Sequence, residues 1–499
     1  MTNPVPTPAP SSDSQATGFQ QRLGLFDATM LVVGAMIGSG IFVVSADIAL
    51  EVGSSGWLML VWVLTGVMTV IGALSYAELA AMMPRAGGQY VYLRESYGPL
   101  WGFLYGWTLF MVIQTGSIAA VSVAFAKFLG VLVPELGPAH ILWEIGAFQI
   151  SAGQLVAVVL TAFLTWLNTR GVEGGKWVQN VFTVAKMLGL GLLIVLGLTV
   201  AANSEVMTAN WSNIWDGIFT TDQFAAVKKL TPAGNWLTAL MVVGASMVGS
   251  LFSADAWNNV TFTAGETKNP SRNLPLSMAI GTVLVIGLYL LCNVAYLAAL
   301  PIQGVKEGAT ALERGIAYAR EGRVGTAVLE QASPMWGVTL MAITIMISTF
   351  GCVNGLILMG ARLYYAMAQD GLFFKKCGEL NARGVPAFGL WMQGIWSIAL
   401  VFSGTFNALL DYVIFAALLF YALTVAGLFV LRRTQPNAER PYRSWGYPVV
   451  PALYIVMCLA VMLDLLIVKP LYTWPGLLIV AAGIPVYFVW RSLGLKTAR

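Results

Sequence analysis

The stretch GAMIGSGIF, residues 34–42, interrupts an apolar run that extends from about residue 25 to residue 50. Glycine in a helix interior costs roughly 1 kcal/mol relative to alanine, so Gly38 and Gly40, on either side of Ser39, predict a break in a helix. In lipid, each unsatisfied backbone polar group is expensive. An irregular backbone at mid-membrane is therefore tolerated only where it is buried in protein or lines a polar cavity.

A second interruption of the same kind lies in the other half of the chain. The stretch GSLFSADAWNN, residues 249–259, falls inside the apolar run from about residue 237 to residue 265. A lone Gly-x-Gly would favour tight helix packing. A matched pair of interrupted segments instead indicates the substrate site of a secondary transporter.

The composition excludes a soluble protein. Of the 499 residues, 58% are hydrophobic and 10% are charged, whereas soluble domains carry about 25% charged residues. The four cysteines lie within or beside apolar runs without a metal-ligand spacing, and His140 is the only histidine. We therefore expect no structural disulfide, metal or cofactor. The net charge is a modest +4, and we expect a lipid bilayer, not nucleic acid, as the surroundings.

The apolar runs predict an all-α integral membrane protein with twelve transmembrane helices. Their predicted limits are 24–50, 56–83, 98–133, 152–170, 177–201, 237–265, 274–300, 335–368, 386–404, 408–432, 449–468 and 473–492. With the N-terminus inside, eighteen Lys and Arg residues fall on the inner side, seven on the outer side and two within spans, which accounts for all 27. This bias predicts that both termini are cytoplasmic.

The order of the spans resembles the five-plus-five inverted repeat of the leucine-transporter (LeuT) type, with broken helices one and six. Residues 22–201 form the predicted first repeat and residues 237–433 the second. Residues 202–236 are predicted to be an outer loop, and residues 434–499 hold the last two spans and a short cytoplasmic tail. Residues 1–21, rich in Pro, Ser and Thr, are predicted to be a disordered cytoplasmic tail.

The two breaks together predict a receptor for a zwitterion. A half-helix that begins at the first break presents unpaired N–H groups and a partial positive charge to a carboxylate. Free carbonyls of the half-helix that precedes the second break could accept hydrogen bonds from an ammonium group. Phe252 could act as an aromatic lid, while Ser253 and Asn258 offer polar side chains. The predicted substrate-binding residues are Ile37, Gly38, Ser39, Gly40, Phe252, Ser253, Ala254, Asp255 and Asn258.

Two ionisable residues lie deep in predicted spans, where such groups indicate function by default. Asp255 could bind an amine, carry a proton or be neutral through burial, or it could cap the second half-helix. Lys186 lies near the middle of span five, where it could replace a bound cation and act in coupling. About ten residues, roughly 15 Å of helix, separate it from Lys176, which makes snorkelling to the interface strained.

Weaker signals complete the predicted site. Gln114, Thr115 and Ser117 on span three are candidates to line the pocket. After span six, Glu266 could form an inner gate with Lys268 or Arg272, although a solvated loop is equally compatible with this pattern.

Several motifs resemble the amino acid–polyamine–organocation (APC) superfamily, closest to its L-type amino acid transporter branch. Besides residues 34–42, they are ALSYAEL at 73–79, PRAGGQY at 84–90, GETKNPSRNLP at 265–275, ERPY at 439–442, and the L-type features WN at 257–258 and VNG at 353–355. The resemblance implies that the two breaks hold the amino acid. It also implies that Lys186 occupies the place where sodium-coupled relatives keep an ion.

Two departures from the L-type pattern bear on substrate and partner. Asp255 stands where L-type relatives typically have glycine, which leaves a cationic substrate possible. The loop at 133–151 lacks the cysteine through which animal members bind a heavy chain. We therefore expect no disulfide-linked heavy chain and a location in a bacterial inner (plasma) membrane.

The sequence thus predicts a sodium-independent secondary transporter of L-amino acids, neutral and of broad range. It would work by alternating access, as an exchanger or a proton symporter. A cationic amino acid or polyamine antiporter is an alternative, and a non-transporting amino acid receptor is a second. An enzyme is not expected, because no nucleophile–base pair, metal cluster or phosphate loop is apparent.

Overall fold

The computed structural model of the chain describes residues 19–145, 148–219, 236–403 and 406–497. In the first half the helices are α1 Leu25–Met36, α2 Gly40–Val52, α3 Ser55–Met82, α4 Gln89–Tyr97, α5 Pro99–Thr108, α6 Gln114–Leu132, α7 Ala152–Thr169, α8 Val172–Thr199 and α9 Ser204–Ser212. In the second half they are α10 Trp236–Ser253, α11 Pro270–Ala299, α12 Ala311–Arg314, α13 Val324–Ala332, α14 Gly337–Gln369, α15 Ala387–Val401, α16 Phe406–Thr434, α17 Val449–Val468 and α18 Pro470–Thr497.

Short irregular elements join these helices. A π-helical turn, Leu109–Ile113, connects α5 to α6. The 3-10 segments are Pro134–Leu136, Gly217–Phe219, Trp257–Glu266, Arg320–Gly322 and Lys375–Gly378. Strands β1 Ile141–Ile145 and β2 Phe148–Ser151 form an antiparallel hairpin in which Glu144 lies opposite Gln149.

Every predicted span coincides with a helix or a pair of helices. Within the described ranges, eleven segments are long and apolar enough to cross a membrane, which confirms an all-helical, multi-pass membrane protein. The segment predicted at 386–404 is the shorter α15, with 15 residues. Its length of roughly 22 Å is less than the hydrocarbon thickness of about 30 Å.

The interrupted first segment lies at the centre of the bundle. In an apolar stretch of 18 residues within 25–52, all residues are buried. In the corresponding stretches of α8 and α18, only 33% and 28% of the residues are buried. α1 packs against α8, α11 and α14. Lipid offers no hydrogen-bond partners to the outer helices. The unpaired backbone groups of a broken helix therefore need a central position, where other helices supply those partners.

Residues 146–147, 404–405 and 498–499 lie outside the described residues, as do residues 1–18 of the predicted N-terminal tail and residues 220–235 of the predicted outer loop. The rest of that loop contains α9. Phe19, the first described residue, contacts Tyr365 with ring centroids 4.7 Å apart. The backbone N–H groups of Arg22 and Leu23 both donate to the carbonyl of Glu266, at 2.8 and 2.9 Å.

Candidate functional site

The carbonyl groups at the end of α1 accept hydrogen bonds from side chains of other helices. Lys186 on α8 donates from Nζ to the carbonyl oxygens of Gly34 and Ile37, at 2.8 Å each. The other donor–acceptor pairs are the Tyr289 hydroxyl to Met36 at 3.0 Å, the Ser348 hydroxyl to Gly38 at 2.9 Å and the Cys352 thiol to Ala35 at 3.1 Å. Sequence reasoning identified only Lys186 among these donors. The Ser348 hydroxyl also lies 3.2 Å from the Ile37 carbonyl oxygen, which therefore has two possible donors.

A close approach of two helices brings Lys186 to the break. A Cβ at Gly34 would lie 1.9 Å from the Gln179 amide nitrogen and 2.4 Å from Thr183 Oγ1, so a larger residue would displace these side chains of α8. Lys186 itself is fully buried. Its ammonium group is therefore fixed at the break by packing and by two charge-assisted hydrogen bonds.

The start of α2 directs donors into the same space. Ser39 is the N-cap residue and makes no side-chain cap bond. Its hydroxyl is buried and has no partner among the residues that the structure describes. Because the first N–H groups of a helix have no intrahelical acceptor, the N-terminus of α2 carries a partial positive charge. This arrangement suits a carboxylate.

The two breaks lie in direct contact. A Cβ at Gly40 would lie 2.0 Å from Ser253 Oγ and 2.7 Å from its Cβ. Tyr289 joins the two segments, because its hydroxyl lies 3.0 Å from both the Met36 and the Ser253 carbonyl oxygens. Glycine at position 40 is thus a packing requirement as well as a helix breaker.

The second interruption contains a strained residue. α10 ends at Ser253, and the chain continues as the 3-10 segment Trp257–Glu266. Between them, Ala256 adopts the left-handed region with φ 66°. A non-glycine residue held in this region costs on the order of 1–3 kcal/mol, and such strain clusters at functional sites.

Asp255 belongs to a hydrogen-bond network and does not occupy the capping position. The N-cap residue of the 3-10 segment is Ala256. The Tyr421 hydroxyl lies 2.5 Å from Asp255 Oδ1 and 3.0 Å from Asn258 Oδ1, and it can donate to either. The Asn258 side chain donates in turn from Nδ2 to the side-chain oxygen Oε1 of Gln89 at 2.8 Å. The network therefore joins the second break to α16 and α4.

Three small cavities meet at Asp255. They offer about 10, 20 and 20 Å³ to the centre of a water-sized sphere, which is room for about one water each. An amino acid therefore fits between the breaks only after the lining side chains move apart.

Most predicted site residues line these cavities. One cavity is bordered by Gly38, Ser39, Gly40, Ser117, Phe252, Ser253 and Asp255. A second is bordered by Gln114, Ser117, Asp255 and Asn258, and the third by Ala254 and Asp255. Ile37 and Thr115 border none of the three. Ile37 contributes its carbonyl to Lys186, while the Thr115 hydroxyl donates to the Phe110 carbonyl of its own helix at 2.6 Å.

Glu266 pairs with a residue that the sequence did not suggest. Arg362 of α14 donates from Nη2 to Oε1 at 3.1 Å and from Nε to Oε2 at 3.2 Å. Both side chains are buried, with 1% and 2% exposure. The predicted pairing of Glu266 with Lys268 or Arg272 is therefore wrong, because its carboxylate pairs with Arg362. The sequence did not suggest this partner, since Arg362 lies 96 residues away on another helix.

Breaking this ion pair on one side is expected to destabilise the protein. Arg362→Met should lower the free energy of unfolding by about 3–5 kcal/mol, because the Glu266 carboxylate stays buried without its partner. The double variant Arg362→Met/Glu266→Gln should recover much of that loss. Thermal unfolding in detergent measures both, and a double variant no more stable than the single one would contradict the prediction.

Lys176→Met provides the matched control. Lys176 pairs with Asp27 at 3.0 Å and is 32% exposed. Since exposed pairs contribute only about 0–1 kcal/mol, this variant should unfold close to the wild-type temperature.

A bundle of apolar helices that gathers its buried polar groups at two adjoining breaks has the organisation of a membrane transporter. The sequence model of the amino acid permease family matches residues 23–489, and the chain belongs to this family. The predictions of a transporter of the APC superfamily, L-type branch, and not an enzyme, are confirmed by this match and by the relatives.

The relatives cover nearly the whole chain. The chain is 31% identical over 488 residues to the b(0,+)-type amino acid transporter 1 of Homo sapiens, covering 96% of this chain and 90% of that protein. It is 29% identical over 486 residues to the same transporter of Mus musculus, with the same coverage. It is also 29% identical over 486 residues to the large neutral amino acids transporter small subunit 2 of Homo sapiens, covering 97% and 83%.

Proposed function

We propose that this chain is a sodium-independent secondary transporter of L-amino acids that works by alternating access. The observation that carries the proposal is the position of the Lys186 ammonium, 2.8 Å from two carbonyl oxygens at the first break. Unwound backbone carbonyls are the groups with which transporters of this architecture bind Na⁺. A lysine held there supplies a positive charge from the protein itself, so substrate binding would require no sodium ion.

The proposed substrate site lies between the two breaks. The carboxylate would be held by the N–H groups at the start of α2 and by the unpaired hydroxyl of Ser39. The ammonium group would be held by the carbonyls of residues 252–254, where the helix α10 ends. Amides for one end and carbonyls for the other would give selectivity for zwitterions, and Phe252 would cover the bound molecule.

The architecture and location are part of the same proposal. Residues 22–201 and 237–433 would form a LeuT-type inverted repeat, and movement of one repeat against the other would expose the site to each side in turn. The termini would be cytoplasmic, in a bacterial plasma membrane. The absence of cysteine from 133–151 supports a transporter that needs no disulfide-linked heavy chain.

Counterflow into proteoliposomes tests this function. Labelled L-leucine should enter liposomes preloaded with unlabelled leucine, without sodium and at one pH, and D-leucine should compete poorly. Uptake only into preloaded vesicles would identify an exchanger, and uptake into empty vesicles that rises with an inward proton gradient would identify a symporter. Substrate binding without any uptake would contradict transport and favour a receptor.

Asp255 supports a second candidate, transport of cationic amino acids or polyamines. Its buried carboxylate borders all three central cavities. Its hydrogen-bond partners, the Tyr421 hydroxyl and the Ala256 backbone N–H, are both neutral. A carboxylate in this position would hold a substrate that carries a second amino group.

Asp255→Asn should separate the two candidates. If the carboxylate binds a cationic side chain, the variant should need at least about tenfold more arginine or putrescine to inhibit leucine exchange, since a hydrogen bond to a charged group contributes about 1.5–3 kcal/mol. Tyr421→Phe, which keeps the carboxylate, is the control and should still be inhibited. An unchanged ratio of arginine to leucine inhibition in Asp255→Asn would leave Asp255 as a structural partner of Tyr421.

A further inference from the structure

α17 carries a carboxylate that the substrate site does not use. Asp464 lies four residues before the end of this helix, inside an apolar segment of 20 residues. Both of its oxygens are buried, and neither has a hydrogen-bond partner in the described part of the chain. An ionised carboxylate without hydrogen bonds is strongly disfavoured in an apolar environment. An ionisable residue with buried, unpartnered oxygens inside an apolar membrane segment therefore indicates function.

A glycine on α10 brings that helix against the carboxyl group. A Cβ at Gly244 would lie 2.5 Å from Asp464 Oδ2 and 3.1 Å from its Cγ. The sequence of α10, WLTALMVVGASMVGSLFS, contains no ionisable residue. The hydroxyl of Ser246, two residues after Gly244, donates to a carbonyl of its own helix. α10 thus covers the carboxyl group without hydrogen-bonding it.

The other elements around Asp464 supply no close counter-charge among their described side chains. On its own element, Lys469 follows the end of α17 and attracts the carboxylate through space. On α16, Tyr421 binds Asp255 and Arg432 binds Glu78 of α3. Among the side chains that the structure describes, the further charged or titratable groups on the packed elements are Arg433 of α16, Tyr76 of α3, Tyr454 and Cys458 of α17, and Tyr487 and Arg491 of α18.

We propose that Asp464 is a proton-binding site whose occupancy is coupled to the movement of α10. While α10 packs against α17, the carboxyl group holds a proton and is neutral. When α10 moves away, water reaches the group; the O–H bond breaks, water accepts the proton as hydronium, and Asp464 becomes a carboxylate. The return of α10 requires the proton to bind again.

This coupling gives the transport cycle a proton-dependent step. The inference rests on the proposed function, because α10 is the half-helix that ends at the second break and would move in alternating access. A rise in pH would favour the ionised carboxylate and so the separated arrangement of α10 and α17. Closure of the site, and with it exchange, would slow as the pH rises.

Leucine exchange by the reconstituted protein at about pH 6 and about pH 8.5 tests the inference. Wild-type exchange should fall by about tenfold or more over this range. Above the pKa of a carboxyl group, each further pH unit lowers the protonated fraction about tenfold. Asp464→Asn, which stays neutral, should match the wild-type rate at the lower pH and change by less than about twofold. Glu144→Gln, an exposed carboxylate on β1 bonded to Gln149, is the control and should keep the wild-type profile.

Two results separate this inference from the proposed function. If wild type and Asp464→Asn both exchange leucine with the same pH profile, the proton site is overturned and the transport function stands. If neither exchanges any amino acid, the function fails, and thermal stability in detergent decides the proton site. The wild type should then lose stability as the pH rises while Asp464→Asn does not; equal pH dependence would overturn it.

Discussion

Lys186→Met is expected to reduce leucine exchange by at least about a hundredfold, because two charge-assisted hydrogen bonds are lost and each contributes about 1.5–3 kcal/mol. The carbonyls of Gly34 and Ile37 would lose their shared donor. The first break would then have no fixed positive charge. Initial rates of counterflow in proteoliposomes measure the effect.

A second lysine inside a predicted span provides the control. Lys127 lies in α6, and its ammonium donates to the carbonyl of Glu321 in a loop. Lys127→Met removes a similar charge without touching either break. Its exchange rate should therefore stay within about threefold of wild type, which corresponds to a change of about 0.6 kcal/mol in the activation free energy. A monodisperse gel-filtration profile establishes that Lys186→Met is folded, and normal exchange by that variant would contradict its role.

Gly40→Ala is the second large effect that we expect. The new methyl group would lie 2.0 Å from Ser253 Oγ and 3.1 Å from Ser253 Cα, so the two breaks must separate. Overpacking of this kind typically costs about 1–3 kcal/mol. We expect exchange to fall by about tenfold or more, measured as the initial rate per folded protein.

The design includes a rescue and a neutral substitution. Ser253→Gly removes the atoms that the new methyl would meet first, so Gly40→Ala/Ser253→Gly should exchange faster than Gly40→Ala. Gly287→Ala in α11 places a methyl group in open space, with no atom within 4 Å, and should behave as wild type. If Gly40→Ala also behaves as wild type, direct contact of the two breaks has no part in the cycle.

Helix positions were predictable because the membrane imposes long apolar runs. The limits of α17 agree with the sequence prediction at both ends. The same logic predicted the breaks, since glycine and polar residues interrupt two of these runs at matching positions. Lys186 stood out because few charges lie that far from an interface.

The partners across the site could not be predicted. Tyr421 lies 166 residues from Asp255 and Arg362 lies 96 residues from Glu266, and helix packing alone brings them together. Thr115 was a candidate to line the pocket as a polar residue of span three. The π-helical turn Leu109–Ile113 precedes it, and a π turn adds a residue and rotates the face that follows. Asp464 went unnoticed because a single carboxylate does not shorten an apolar run.

We propose that the Lys186 ammonium replaces a sodium ion at the first break. Leucine counterflow should therefore be measured in the same proteoliposomes with sodium salts and with choline in their place, at one pH and ionic strength. We expect equal initial rates in both media. A rate that falls severalfold in choline and rises with sodium concentration would contradict this proposal.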